Sequence, residues 1–448
     1  VESNDITSTF DWAAFIYIPV VFIPSFLAIN YVIKKVGLKN KAKFEIRNIL
    51  KSLFVRSSSA LINILLLVGV LGIIYVSIDP TLFVYRLRTV AEQAMPSYLM
   101  SRKSNIKKLA SANSRNVQLK DYQEYGFSYP KDEAKQPLMV VLIIGESLRS
   151  DRLGVNGYNR DTTPHMNKMQ NLFSFKNVLS CSTTTAVTLP CMLTNETQDN
   201  WIKRFSTGSY EPKYSVAKVF NNQGFETKWL SSANKDYGIY INKDFHGSKD
   251  VMLSNELRRK YISKENDFGD ALLVKAMDVN TDKDTLFVLG TMGSHRDYFS
   301  RYPKHMAKFK PDVGKSLEHI GNAYDNTIVY FDQLIFDLTN KLKDKNAILF
   351  YVSDHGESLG EDGVFLHGAP YDTAPDAQIL VPMITWMSDT FVQQNPKKQQ
   401  NIQNWIQKNN SKEVKLKHDF LFHSLLDCAG FKSSNGGINS DLSVCSSH

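Results

Sequence analysis

The stretch AILFYVSDHGESLGEDGVFLHG, Ala347 to Gly368, begins as a continuous apolar run and then turns abruptly polar at Asp354-His355-Gly356-Glu357. A short run rich in β-branched and aromatic residues, with no polar alternation, reads as a strand covered on both faces of a sheet. Its charged residues come directly after its carboxyl end, where open parallel α/β sheets bind their ligands. Two more stretches repeat the pattern. LMVVLII (138–144) runs into Gly145-Glu146-Ser147, and TLFVLGT (285–291) runs into Met292-Gly293-Ser294-His295. ETKWLSS (226–232) is a fourth strand candidate, and YSVAKVFNNQ and IGNAYDNTIVYFDQLIFDLTNKLK read as intervening helices. The expectation is an α/β domain over residues 137–448, with a mostly parallel sheet flanked by helices.

If the strand ends are neighbours, Glu146, His295, Asp354 and His355 converge. Carboxylate with imidazole suits Zn²⁺ better than Ca²⁺ or Mg²⁺, which take all-oxygen shells; Mn²⁺ is compatible with the same ligands. His367 lies twelve residues after His355 in the same loop, within reach of the site, and Glu357 is placed to steady a ligand from behind. Gly356-Glu357-Ser358-Leu359-Gly360 matches the G-x-S-x-G elbow of serine hydrolases. That motif needs a strand, the elbow and then a helix, whereas here Asp-His intervenes and Gly363 and Leu366-His367-Gly368 indicate a loop. The nucleophile is therefore sought in Ser180-Cys181-Ser182-Thr183-Thr184-Thr185-Ala186-Val187-Thr188-Leu189-Pro190-Cys191. A helix starting within this stretch aims backbone N–H groups at an anion, and a metal ion beside a hydroxyl favours its ionised form.

Two uncharged runs, 12–33 and 57–78, are each long enough to cross a bilayer as a helix. The loop between them, 34–51, has seven Lys/Arg and one Glu, and so supplies +6 of the formal net charge of +8. A short basic loop between two spans marks the cytoplasmic side, so the excess charge gives no support for nucleic-acid binding. Residues 1–78 are expected to form a membrane region and 79–136 an interfacial helix and linker, with everything beyond Ile78 on the far side of the membrane. The chain lacks an initiator Met, and further membrane helices are expected to precede it. Four cysteines fall in two near pairs, and an oxidising compartment favours the bonds Cys181–Cys191 and Cys428–Cys445.

Taken together, GES after the first strand, SCSTTTAVTLPCM, GSH followed by RYP, SDHGESLG with LHG, and the late HDFLFHSLL resemble the bacterial phosphoethanolamine transferases, membrane enzymes of the alkaline phosphatase and sulfatase superfamily. The resemblance implies zinc held by Glu146, Thr185, Asp354 and His355, with Thr185 the nucleophile that takes up phosphoethanolamine. It implies that His295 and His367 hold phosphoryl oxygens, move protons or bind a second zinc, and that Lys235 lies in the donor pocket. The donor it implies is phosphatidylethanolamine. The acceptor is lipid A or the lipopolysaccharide inner core, and the setting is the bacterial inner membrane with the catalytic domain in the periplasm. Arg296-Asp297 stand where family members often have Gly-Pro. A hydrolase of the same superfamily, transfer to a periplasmic glucan, and a membrane-anchored binding protein whose metal site is only structural are the rival readings. The formylglycine context of sulfatases, C/S-x-P-x-R, is missing from the TTTAVTLP stretch.

Overall fold

The computed structural model describes residues 122–131, 135–207, 214–233, 247–248, 250–262, 268–310, 317–409 and 416–447. The two expected membrane spans, the basic loop, the interfacial segment up to 121 and Lys235 lie outside these residues. Among the described residues no helix is long and apolar enough to cross a membrane.

Eight strands of the described residues form one sheet: β1 (Leu138–Gly145), β2 (Leu172–Leu179), β3 (Glu226–Ser231), β4 (Asp250–Met252), β5 (Thr285–Gly290), β6 (Asn346–Ser353), β7 (Leu380–Met387) and β8 (Leu416–Lys417). Their order is β8-β2-β7-β6-β1-β5-β3-β4. Every neighbouring pair is parallel except those made by β7, which is antiparallel to both β2 and β6. The sheet is thus mixed, with one reversed strand. Pro382 sits in that strand, and the register with β2 shifts between Val381 and Met383. Such an irregularity is how a sheet tolerates a residue that cannot donate a ladder hydrogen bond.

β1, β5 and β6 are buried along their whole lengths. Because side chains alternate between faces, Val140, Leu142 and Ile144 share one face with Ile348, Phe350 and Val352, and join α1 (Thr185–Met192) and α4 (Asp419–Ala429) through Leu189, Leu421 and Leu425. The opposite face packs on α2 (Leu317–Leu342), where Phe331 meets Tyr351 at 4.3 Å between ring centroids. The remaining long helix, α3 (Pro396–Asn409), stacks Trp405 on Phe175 of β2.

Helix α2 also moors the segment that follows β1. Its fully buried Asp325 pairs with Arg152 at 3.1 Å and Arg160 at 2.6 Å, and Asp332 accepts the peptide N–H groups of His165 and Met166 at 2.8 and 2.9 Å. Removing one partner from a buried pair typically costs about 3–5 kcal/mol, so these contacts hold the loop firmly. Before β1, Phe127–Ser128 pairs antiparallel with Lys432–Ser433, which fastens the entry to the domain against its C-terminal end. The cysteines are bonded as Cys181–Cys191 and Cys428–Cys445.

Candidate active site

The central strands β1, β5 and β6 lie side by side and deliver Glu146, His295, Asp354 and His355 from one edge of the sheet. Helix α1 begins at Thr185, with Thr184 as its extended cap residue. Thr185 Oγ1 stands 3.1 Å from Glu146 Oε2 and 3.2 Å from His355 Nε2. The two threonines before it are placed differently: Thr183 donates to the Ala369 carbonyl at 2.7 Å, and Thr184 caps the helix through its backbone carbonyl, with no side-chain cap bond.

His355 presents one defined face. Its Nδ1 lies 2.9 Å from the Gly356 carbonyl, which can only accept, so Nδ1 carries a proton and Nε2 is the nitrogen that faces Thr185, Glu146 and Asp354. The Nε2 is 3.4 Å from both Glu146 Oε1 and Asp354 Oδ2. Asp354 Oδ1 is used up by the N–H groups of Ser147 (3.1 Å) and His355 (2.7 Å). Its Oδ2 is buried with no hydrogen-bond partner. A bare carboxylate oxygen beside a second carboxylate and an imidazole nitrogen costs free energy unless a cation joins them. Ligand atoms from Glu146, Asp354 and His355 all fall within 4.8 Å of one another. The donor set therefore fits a metal ion.

The electrostatics agree. Burial, and then the charge of Glu146, push the Asp354 carboxyl up to about 7. Burial acts against Glu146 as well, but His355, His295 and His367 outweigh it and hold its carboxyl below the usual range. Burial opposes charge on His355, and Asp354 and Glu146 more than offset it, raising the imidazole above its ordinary value.

His367 returns to the site through a small hairpin in which Ser358–Leu359 pairs antiparallel with Phe365–Leu366. Its ring centroid is 4.2 Å from that of His355 and 5.9 Å from that of His295. His367 Nδ1 is 2.6 Å from Glu357 Oε2, while Tyr298 donates its hydroxyl to Glu357 Oε1 at 2.6 Å. Burial, chiefly, raises the Glu357 carboxyl to about 7 and pushes His367 well below its ordinary value. The same hairpin excludes the serine elbow. Ser358 is buried in a two-residue strand, and its Oγ accepts from Gln378 Nε2.

Backbone conformation is spent on this site. Ser147 (φ 59°) and Leu366 (φ 65°), the residues that follow Glu146 and precede His367, are both left-handed without being glycine, which costs about 1–3 kcal/mol each. Gly293 (φ 45°) is needed where the loop after β5 crosses β1, because a Cβ there would lie 2.8 Å from the Glu146 carbonyl oxygen. Asp297 is also left-handed (φ 59°), a conformation Asp tolerates, and Arg301 donates to the carbonyls of His295 and Arg296 at 3.2 and 3.1 Å.

The sequence pattern of the family described as Sulfatase matches residues 139–431. The chain belongs to that family. Among curated relatives, it is 33% identical over 335 residues to the Kdo(2)-lipid A phosphoethanolamine 7''-transferase of Escherichia coli K12, covering 71% of this chain and 56% of that protein. It is 32% identical over 316 residues to the phosphatidylethanolamine transferase Mcr-1 of Escherichia coli, covering 67% and 57%. The chain thus spans just over half the length of these relatives. The integral membrane lipooligosaccharide phosphoethanolamine transferase A of Neisseria meningitidis superposes with a TM-score of 0.63 at 27% identity, over 85% of this chain and 70% of that one. The fold is that of the sulfatase family, and the relatives are named phosphoethanolamine transferases. No sequence motif singles out Tyr298, whose hydroxyl donates to Glu357 Oε1.

Proposed function

We propose that this protein transfers phosphoethanolamine from phosphatidylethanolamine to lipid A or the lipopolysaccharide inner core, through a phospho-threonine at Thr185. The observation that carries the reading is the Thr185 hydroxyl at 3.1 Å from Glu146 and 3.2 Å from His355, beside the partnerless Asp354 oxygen. Glu146, Asp354, His355 and Thr185 would hold a zinc ion. When bound, it supplies Lewis-acid stabilisation of the charge on phosphoryl oxygens and on the attacking oxygen.

The chain's own groups supply the rest. Thr185 Oγ attacks the donor phosphorus and the bond to the diacylglycerol oxygen breaks, leaving phosphoethanolamine on the threonine and diacylglycerol as the first product. The hydroxyl proton is aimed at Glu146 Oε2. His367, with Nδ1 held by Glu357, turns Nε2 toward the site: it takes up the Thr185 proton by way of Glu146 and passes it to the leaving diacylglycerol oxygen, then takes the acceptor's proton, which returns to Thr185 as the threonine leaves. The acceptor oxygen then attacks the phosphorus and Thr185 leaves unchanged. His295 faces the same space and is placed to hold a phosphoryl oxygen, and the first turn of α1 offers backbone N–H groups to it. The membrane region expected at residues 1–78 keeps the site near two lipid substrates at high effective concentration, in the periplasm.

Mass spectrometry of the purified protein after incubation with phosphatidylethanolamine, beside Thr185→Ala, tests the reading. The expected result is one phosphoethanolamine group on the peptide containing Thr185, absent from the variant. A zinc-loaded protein with no adduct, releasing product to water, would instead be a hydrolase of the superfamily.

A further inference from the structure

The late motif His418-Asp419 lies far in sequence from every site residue described above, yet His418 occupies the seam between the two halves of the site. It is 1% exposed. Its Nδ1 is 3.1 Å from the peptide N–H of Cys181, and its Nε2 is 3.1 Å from the carbonyl of Ser353. The first partner can only donate and the second can only accept. A single protonation state satisfies both: neutral imidazole with the proton on Nε2. Cys181 opens the disulfide-closed loop that ends in α1 and carries Thr185, and Ser353 is the last residue of β6, directly before Asp354. Asp419 extends the tie by accepting the peptide N–H of Gln198 at 2.9 Å, while Gln198 Nε2 donates to the Ser180 carbonyl at 3.1 Å.

We propose that His418 is a positioning residue, a two-ended hydrogen-bond clamp that sets the distance between the Thr185 loop and the Asp354–His355 strand end. The assignment rests on the reading of Thr185 as nucleophile, but the clamp itself stands on geometry alone. No other described side chain bonds both the Cys181 N–H and the Ser353 carbonyl. Burial keeps the ring neutral, holding it down to about 3, so the clamp stays closed through the working pH range. A bridge of this kind acts on reaction geometry rather than on substrate affinity, since His418 is buried away from the space the substrates enter.

The test uses the full chain, purified with its metal content measured, as His418→Leu, which loses both bonds, and His418→Gln, whose amide can accept and donate at once. Single-turnover formation of the Thr185 adduct from phosphatidylethanolamine is expected to slow ~10–100-fold in His418→Leu, at unchanged zinc content and KM. It is expected to recover to within severalfold of wild type in His418→Gln. Amide hydrogen exchange over peptide 180–188 should quicken in the Leu variant and slow again in the Gln variant. Folded, zinc-loaded His418→Leu at the wild-type rate and with wild-type exchange overturns the clamp, and so do equal losses in Leu and Gln. If His418→Leu does not fold, His418→Asn replaces it: its amide reaches Cys181 but not Ser353, and wild-type rate and exchange there overturn the clamp equally. Wild-type protein that forms no adduct while exchange still responds to position 418 sinks the nucleophile reading and leaves the clamp standing.

Discussion

His367 Nδ1 and Glu357 Oε2 are 2.6 Å apart, and this contact decides which nitrogen of His367 faces the active site. With the carboxylate accepting, Nδ1 carries the proton and Nε2 is the nitrogen that exchanges one with substrate. Tyr298 fixes the other carboxylate oxygen as an acceptor too. In Glu357→Gln the amide oxygen must serve Tyr298, so the amide NH₂ faces His367 and forces Nδ1 to accept. The ring then presents Nε2–H to the site. We expect kcat to fall roughly 10–100-fold with zinc content unchanged. Nitrogen-15 shifts of the His367 ring should report the switched tautomer, and an unswitched ring with full activity would contradict it.

Asp354→Asn separates metal binding from folding, because it acts on them with opposite sign. The Asn carbonyl can keep the two backbone bonds to Ser147 and His355, while its NH₂ replaces the partnerless Oδ2 and can donate to His355 Nε2. Metal-free variant protein should therefore be more stable than metal-free wild type by about 1–3 kcal/mol, the usual cost of a buried group left unsatisfied. Zinc affinity should drop by more than the ~10–100-fold that losing an outer hydrogen-bond partner costs. Thermal unfolding with and without chelator, beside a zinc titration, reads both quantities. Equal destabilisation in both conditions would argue against a metal at this position.

The Cys181–Cys191 bond closes a loop with a sequence separation of 10 directly around the start of α1. The chain-entropy argument gives about 2–3 kcal/mol for a loop of this size. Replacing both cysteines with alanine should lower stability by that amount, measured in urea. It should also slow adduct formation, since Thr185 would lose one brace while keeping the one from His418. A variant as stable as wild type would show that the loop is already ordered by its packing around Trp201, which is buried beside both cysteines.

Three of the four strands read from the sequence are apolar without interruption and ETKWLSS alternates, and the structure shifts their ends by no more than a residue. β7 escaped notice because Pro382 argues against a strand, and only the register shift opposite β2 makes room for it. β2 mixes Ser174, Lys176 and Asn177 into an otherwise apolar run and so shows neither clean alternation nor continuous burial. At the site, Glu146, His295, Asp354 and His355 were legible because each directly follows a strand whose neighbours could be guessed. Tyr298 and the bridging role of His418 were not, since each depends on a contact across more than fifty residues: 59 from Tyr298 to Glu357, and 237 from His418 to Cys181. No local pattern encodes such a pairing.

As pH is lowered from 7 to 5, His418 and His423 each pull stability down, against the opposite pull of the Asp354 and Glu357 carboxyls, which take up protons in the folded chain in the same window. Burial depresses His418 to about 3 and His423 to about 4, against an ordinary value near 6.5. Between the folded and unfolded values, the unfolded chain binds the proton and the folded chain does not. Acid therefore favours unfolding: the stabilisation is complete above about pH 6.5 and is lost progressively as pH drops toward the folded values. Each residue contributes a slope of about 1.4 kcal/mol per pH unit in that window. His423 Nδ1 accepts the Asn439 N–H at 3.1 Å, a bond that an Asn oxygen can replace. Urea unfolding between pH 5 and 7 should thus show, in His423→Asn and in His418→Gln, less loss of stability on acidification than in wild type. The two reductions should add in the double variant, because the residues share no hydrogen-bond partner. Parallel wild-type and variant curves would mean that both imidazoles charge freely in the folded protein.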